Sequence, residues 1–230
     1  MDECEKIVEK ALMEKRRSLL IDEGQRICSL HDIPTPLSVV VLDVETAVQR
    51  AHEIGYPVAL KILSKQILHK TNVGGVTLDL RTESELRQAY EKMLVEVRNK
   101  EPLATISGFL IQRMMPPSTE TIIGGIRDPQ FGPVVMFGMG GIFTELYDDV
   151  SFRVAPIDRV DAQNMIHDLK GVKVFEGFRG AAPVDENILV NVLINVSTIM
   201  VDHDRIKQLD LNPVIAYSDH VCAVDSRVIL

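Results

Sequence analysis

Apolar positions recur every three or four residues through much of the first hundred residues, a spacing typical of amphipathic helices. The longest such stretch follows Thr82, which matches a capping box together with Glu85, and its apolar positions run from Leu86 to Val97. Short apolar runs without this spacing separate the helical stretches. The pattern predicts, in order, one or two helices between Glu5 and Leu30, a strand at Leu37–Leu42, a helix from Asp43 to Gly55, strands at Val58–Leu63 and Val76–Leu80, and the helix after Thr82.

Beyond Pro102 the pattern changes to short apolar runs that glycine and proline interrupt. It predicts strands at Ile106–Ile111, Thr121–Ile126, Val134–Phe137 and Phe152–Val154, helices at Ala162–Leu169 and from Ile188 to Met200, and closing strands at Ile206–Leu211 and Val221–Val224. Helices and strands mixed in this way indicate an α+β fold. We expect two lobes, residues 1–106 and residues 107–230.

Composition and charge narrow the class of protein. The 230 residues include 25 Lys and Arg against 33 Asp and Glu, a formal net charge of −8, which argues against nucleic-acid binding. No run approaches the ~18 apolar residues of a membrane span, and the charged first ten residues lack the apolar core of a secretory signal, so we expect a cytoplasmic protein and no membrane partner. Cys4, Cys28 and Cys222 lie too far apart for a CxxC motif, and we expect reduced thiols.

Lys61 interrupts the apolar run Val58–Leu63. Burying an unpaired ammonium costs several kcal/mol, so we expect something anionic to meet it. The alternative is a lysine whose charged end reaches the surface while its stem stays in the strand.

The loop over residues 64–75 is longer than a typical hairpin loop. It places His69 beside Lys70 and ends in two glycines, Gly74 and Gly75. A neutral imidazole can accept a phosphoryl group at pH 7, and glycine lets backbone N–H groups approach a phosphate. A surface loop with a solvated histidine is the alternative.

A second glycine-rich segment, Gly138–Glu145, follows an apolar strand. Gly140 and Gly141 can bring amides to phosphate oxygens there, with Glu145 nearby. The spacing is not GxGxxG, and GxxxxGK[ST] occurs nowhere in the chain, so a P-loop is excluded. Turn glycines with a structural role are the alternative.

Hard oxygen donors cluster near the end of the chain. Asp210 and Asn212 are two residues apart, so they share one face of the predicted strand. Asn212 and Asp225, with waters and phosphates, offer the oxygen ligands that Mg²⁺ prefers. A strand that ends in an Asn-Pro turn is the alternative.

The segment Gln112–Pro117 and Glu120 lie where we expect the lobes to join. A hinge there can hold an adenine against Met115 and a ribose against Glu120. A strand that simply stops at the prolines is the alternative.

Five segments together resemble the ATP-grasp β subunit of ADP-forming acyl-CoA synthetases. They are Gly55–Lys61, Ile67–Lys70 with Val73–Val76, Asp128–Pro133, Gly138–Phe143 and Leu209–Pro213, which match in order over essentially the whole chain. The combination of HK…GG with DPQFGP is the most specific part. The resemblance implies an ATP-grasp fold, in which two α+β lobes clasp a nucleotide.

In that family acyl-CoA, phosphate and ADP are converted reversibly to carboxylate, CoA and ATP, with the phosphoryl group carried on histidines. The resemblance implies that His69 is the phosphohistidine of a mobile loop. It also implies that Asp210 orients the imidazole of His69 and favours its charged form, and that Asn212 and Asp225 hold magnesium. The residues expected to bind ATP or ADP are Lys61, Gly74, Gly75, Met115, Glu120, Gly140 and Gly141. Two positions depart from the family pattern: Asn72 stands where Asp is common, and Arg113 stands where Glu is common.

The chain contains no dinucleotide-type fingerprint for CoA. The resemblance therefore implies that CoA and acyl phosphate are handled by a CoA-binding α subunit, in an α2β2 heterotetramer. Two other hypotheses stay open here. A carboxylate–amine ligase of the same fold would have no use for a loop histidine, and a nucleotide-sensing module would bind nucleotide without turning it over.

Overall fold

The structure is a computed structural model that describes residues 2–67, 69–141, 149–177 and 182–230. The helices within these ranges are α1 (Glu3–Met13), α2 (Ile21–Leu30), α3 (Val44–Ile54), α4 (Glu83–Lys100), α5 (Arg159–His167) and α6 (Glu186–Asp202). The strands are β1 (Ser38–Val41), β2 (Val58–Ser64), β3 (Val76–Leu80), β4 (Ile106–Arg113), β5 (Thr119–Asp128), β6 (Gly132–Met139), β7 (Val150–Val154), β8 (Gln208–Ala216), β9 (Val221–Ala223) and β10 (Ser226–Ile229). The mixed α+β class predicted from the sequence is confirmed.

The chain divides into two compact units, and the division differs from the predicted boundary after residue 106. The smaller unit consists of Leu20–Asp22 and Pro36–Met115, and the larger unit consists of Met1–Leu19, Glu23–Thr35 and Pro116–Leu230. The boundary moves to residue 115 because β4 pairs with β1 on one side and β2 on the other. The leading helices join the larger unit because they pack against its core.

The smaller unit contains a four-stranded antiparallel sheet in the order β1-β4-β2-β3. Helices α3 and α4 cover one face, where Leu60, Ile62 and Phe109 belong to their common core. Helix α3 begins as predicted, because the Asp43 carboxylate accepts the Thr46 N–H at 2.8 Å.

The predicted capping box of α4 is only half formed. The Thr82 hydroxyl accepts the Glu85 N–H at 3.2 Å. The Glu85 carboxylate accepts the N–H of Arg81 at 2.7 Å and not that of Thr82. One reciprocal bond is therefore replaced by a bond one residue earlier.

The larger unit contains a six-stranded antiparallel sheet in the order β10-β8-β5-β6-β7, with β9 paired to β8 beside β10. Helices α1, α2, α5 and α6 contribute to one continuous core with strand residues such as Ile123, Phe137 and Leu209. The three cysteines are buried free thiols, and burial raises the pKa of Cys28 to about 12.

The sheet of the larger unit has a second face that carries the candidate chemistry. Leu209 and Leu211 belong to the core, so alternation along β8 directs Asp210 and Asn212 to the opposite face. In the part of the chain that the structure describes, no helix has the length and apolar character to cross a membrane.

Candidate functional site

Lys61 is almost fully buried in the smaller unit. Its residue is 3% exposed, and every residue of β2 is buried. The strand register pairs it with Val76 on β3 and Leu110 on β4. Because Leu60 and Ile62 face the helices, Lys61 faces the other side of the sheet. The surface-reaching alternative is therefore wrong, and the cation is fixed within the sheet.

The loop after β2 exposes His69 at the start of a short 3₁₀ turn, Lys70–Val73. Leu68, which belongs to the matching motif, lies outside the described residues. Lys70 is half-buried beside the histidine. The loop thus presents an imidazole that a ligand can reach.

Gly74 and Gly75 shape this loop, and their amides are not available to a phosphate in this conformation. The Gly74 N–H donates to the Thr71 carbonyl at 3.2 Å, and the Gly75 N–H donates to the Lys70 carbonyl at 2.8 Å. Gly74 has a left-handed backbone, with φ of 76°, and a Cβ there would clash with the Glu96 carboxylate. Both amides therefore close a tight turn here, and the predicted role of these glycines at the nucleotide stays a prediction.

The predicted hinge is divided between the two units. Its backbone is held in the smaller unit, where the Arg113 N–H donates to the Leu37 carbonyl at 2.9 Å and the Met114 N–H donates to the Pro57 carbonyl at 3.2 Å. Met115 is half-buried at the end of this unit, whereas Glu120 is exposed on β5 of the larger unit. Their adenine and ribose roles stay predictions.

Gly140 and Gly141 pack beneath Glu120. The Gly140 N–H donates to the Glu120 carbonyl at 2.7 Å, and a Cβ on Gly140 would lie 2.7 Å from the Glu120 Cβ. This close approach explains why residue 140 has no side chain, and it uses the amide that we had expected to meet a phosphate. Gly141 has φ of 62°. The remainder of the motif, residues 142–145 with Glu145, lies outside the described residues.

Asp210 lies on β8, on the face of the larger unit's sheet that is opposite its core. The register pairs it with Arg227 on β10 and with Gly124 on β5. Burial raises the pKa of Asp210, the Arg227 charge opposes that shift, and the Asp225 charge adds to it. The carboxylate is therefore desolvated and close to both charged neighbours.

The predicted metal donors Asn212 and Asp225 belong to the same unit as Asp210. Asn212 is exposed at the predicted face of β8, and the half-buried Asp225 connects β9 to β10. One Asp225 oxygen accepts the Ser226 N–H at 2.9 Å. An amide oxygen and a carboxylate beside a second carboxylate form a hard, anionic donor set, which fits Mg²⁺ completed by phosphate and water.

Sequence reasoning missed Arg227. Its signal was weak, because Ser226–Ile229 alternates over only four residues and the pattern did not predict a strand there. Only the pairing of β10 with β8 places this arginine beside Asp210.

Comparison with known proteins defines the class first. The family model described as the ATP-grasp domain matches residues 10–230. The predicted fold is therefore confirmed: this is an ATP-grasp protein.

Relatives narrow the class further. The chain is 45% identical to the β subunit of acetate–CoA ligase (ADP-forming) I from Pyrococcus furiosus, over 97% of this chain and 96% of that protein. It is 39% identical to the corresponding β subunit II, over 99% and 98%. The solved structure of the dinucleotide-forming acetyl-coenzyme A synthetase 1 of Ca. Korarchaeum cryptofilum superposes with a TM-score of 0.96, at 46% identity over 99% of this chain and 100% of that chain.

The chain belongs to the family of β subunits of ADP-forming acetate–CoA ligases. This confirms the resemblance and the acid–CoA ligase function predicted from it. The hypotheses of a carboxylate–amine ligase and of a nucleotide sensor receive no support from these relatives.

Proposed function

We propose that this chain passes a phosphoryl group between His69 and ADP, within the reaction acyl-CoA + ADP + phosphate = carboxylate + CoA + ATP. The observation that carries the proposal is an exposed histidine on the loop that directly follows a strand with a buried lysine. The Korarchaeum relative provides support. It was crystallised with a phosphorylated phosphohistidine segment, and also with that segment pointing towards the nucleotide binding site.

The transfer step is a displacement at phosphorus. Towards ATP, an oxygen of the ADP β-phosphate forms a P–O bond while the N–P bond of the phosphohistidine breaks and leaves a neutral imidazole. In reverse, the imidazole nitrogen attacks the γ-phosphorus and ADP leaves. Such a step needs little covalent chemistry from the protein beyond positioning and charge, and the fixed cation of Lys61 supplies charge for the phosphate oxygens.

Asp210 is a positioning residue in this proposal. A carboxylate that accepts the imidazole N–H selects the reactive tautomer and stabilises positive charge on the ring. Asp210 carries out this task for His69 when the loop delivers or receives the phosphoryl group.

Nucleotide binding uses the remaining predicted residues. Met115 contacts adenine, Glu120 binds the ribose, and Gly140 and Gly141 hold the strand end beneath Glu120. Asn212 and Asp225 would hold Mg²⁺, which when bound neutralises charge on the phosphates. A relative's structure with Mg-AMPPCP supports this assignment.

CoA and acyl chemistry belong to a partner in our proposal, a CoA-binding α subunit in an α2β2 heterotetramer. In acetate–CoA ligase (ADP-forming) I from Archaeoglobus fulgidus, the matching region is 33% of a longer chain, so further sequence accompanies it there. Relatives named for 4-hydroxybutyrate and for trans-feruloyl-CoA match this chain at 38% and 33% identity. Similar nucleotide-handling sequences thus occur in ligases that act on different acids. This supports the proposal that another part of the enzyme selects the acyl group. We place the complex in the cytoplasm.

Phosphohistidine labelling tests the proposal. Incubation of the chain with γ-labelled ATP and Mg²⁺ should give an acid-labile, base-stable label. His69→Asn should abolish it, because amide nitrogen is not a nucleophile for phosphorus. His52→Asn is the matched control, since His52 is an exposed histidine of the same unit that contacts Glu83. Label that survives in His69→Asn, or a parent chain without label, would show that the proposal is wrong.

A further inference from the structure

A row of paired residues crosses the sheet of the larger unit, on the face opposite its core, and Arg227 is its last member. The row consists of Phe152, Met136, Gly124, Asp210 and Arg227. Directly paired residues of an antiparallel sheet point to the same face, so Arg227 shares the face of Asp210. It is therefore part of the surface on which the proposed transfer site lies.

Arg227 has hydrogen-bonding capacity that the protein leaves unused. The residue is half-buried, and its Nε is buried with no hydrogen-bond acceptor among the residues that the structure describes. Leaving a buried donor unsatisfied is unfavourable, and more so for a charged group. An anionic ligand with several acceptor oxygens would remove this cost.

The centre of the row is a glycine, Gly124, which pairs directly with Asp210. A Cβ placed there would lie 3.3 Å from the Leu209 carbonyl and 3.5 Å from the Met136 methyl carbon, so the close approach of the neighbouring strands favours glycine. Asp210 and Arg227 are therefore the charged side chains of the row. A phosphate that approached Asp210 would be repelled by its carboxylate unless a cation stood beside it.

We propose that Arg227 is a catalytic residue that binds the oxygens of the phosphoryl group as it moves between His69 and ADP. The inference rests on the proposed function and extends it. A guanidinium presents a fork of N–H donors that matches two phosphate oxygens, and it holds its charge throughout. No proton moves to or from Arg227. Its charge offsets the repulsion from Asp210 and Asp225 while the N–P bond breaks and the P–O bond forms.

Single-turnover labelling of His69 from γ-labelled ATP and Mg²⁺ tests this role. Arg227→Met removes the charge at similar length, and we expect the labelling rate to fall by about 10²–10³-fold, as for loss of one oxyanion donor. Arg227→Lys keeps the charge but lacks the planar fork, so its rate should lie between those of the parent and the Met variant. Added methylguanidinium should restore part of the rate to Arg227→Met only.

Arg153→Met is the matched control. Arg153 lies on β7 at the other edge of the same sheet, where it forms an ion pair with the surface carboxylate of Asp168. The Arg153→Met variant should therefore label His69 at a rate within about twofold of the parent.

A parent chain that takes no label at His69 overturns the proposed function, and this inference with it. A labelled parent with Arg227→Met at the parent rate overturns this inference alone. A slow Met variant that methylguanidinium does not rescue, and whose melting temperature falls, also overturns it, because the loss is then structural.

Discussion

Asp210 is a residue at which stability and the proposed function oppose each other. Burial and the nearby Asp225 both raise the pKa of its carboxyl group, whereas Arg227 lowers it, and the net shift is upward. A carboxyl group with a raised pKa binds its proton more tightly in the folded chain. Its ionised form therefore destabilises the fold at neutral pH, and this cost disappears as the pH falls through the folded pKa towards 3.8.

Asp210→Asn should therefore melt at a higher temperature than the parent at pH 7 without added Mg²⁺, by about 2–4 °C, because the amide removes a desolvated charge. The same variant should label His69 at least about 10²-fold more slowly, because an amide cannot stabilise a positive imidazole as a carboxylate does. Calorimetry should find Mg·ADP affinity close to that of the parent, because Asn212 and Asp225 would hold the metal. Joint loss of labelling and Mg·ADP binding would instead assign Asp210 to the metal, the behaviour expected of Asp225→Asn.

Lys61 and Arg227 differ in how well the sequence alone identifies them as candidate site residues. Lys61 is visible because the five other residues of Val58–Leu63 are apolar, and the structure confirms that its strand is buried. Arg227 is not visible, because its neighbours Ser226 and Val228 have no such contrast. Its proximity to Asp210 depends on a pairing between distant strands, and the local pattern carries no information about that register.

At the scale of elements, the regular periods predicted the helices and strands well, but they did not predict which groups the amides of the glycine-rich segments contact. Strand β3 has the predicted ends, Val76 and Leu80, because an alternating run leaves one choice of face. The amides of Gly74 and Gly140 were expected to meet phosphate, yet each donates to a backbone carbonyl. Glycine permits a close approach without saying what approaches, and here protein backbone does.

The end of helix α6 depends on one side chain from β5. Arg127 donates from its terminal nitrogen to the carbonyls of Met200 at 2.6 Å and His203 at 3.3 Å, and from Nε to that of Ile206 at 3.4 Å. Carbonyls at a helix C-terminus lack partners within the helix, and a cation there also interacts favourably with the helix dipole. Arg127 therefore joins the helix end to the sheet.

Arg127→Met should lower the free energy of unfolding by about 1–3 kcal/mol, because it leaves partly buried carbonyls unsatisfied. Urea denaturation of the two proteins measures the difference. Arg26→Met is the control, since Arg26 forms an exposed ion pair with Glu3, and it should cost less than about 1 kcal/mol. Equal losses in the two variants would mean that the contacts of Arg127 do not stabilise the helix end.

At the scale of the whole molecule, the prediction of two lobes is matched by two compact units, but their composition differs. The α2 helix contributes Ile21 and Asp22 to the smaller unit and its remainder to the larger one, so neither unit is one continuous segment. Hydrophobic period identifies that a helix has an apolar face and does not identify which core receives it. For this reason the pattern did not assign the leading helices to the larger unit, whereas the other end of the smaller unit moved to residue 115 because β4 pairs with β1 and β2.

In our proposal the chain handles the nucleotide and the phosphoryl group, and none of the described residues is assigned to CoA or to an acyl group. Its relatives range from separate β subunits to a chain in which the matching region is a third of the length, which supports our proposal that those functions lie on additional sequence. We therefore predict that the purified chain labels His69 from ATP but forms no acyl-CoA from acetate, CoA and ATP. Adding a CoA-binding α subunit should start thioester synthesis, and His69→Asn should prevent it in the reconstituted complex. Loss of the free CoA thiol, followed with a thiol reagent, measures thioester synthesis.

Two outcomes would contradict this prediction. Synthesis by the isolated chain at the rate of the complex would contradict the partition of chemistry between two subunits. Synthesis by the complex with His69→Asn would contradict the route through this histidine.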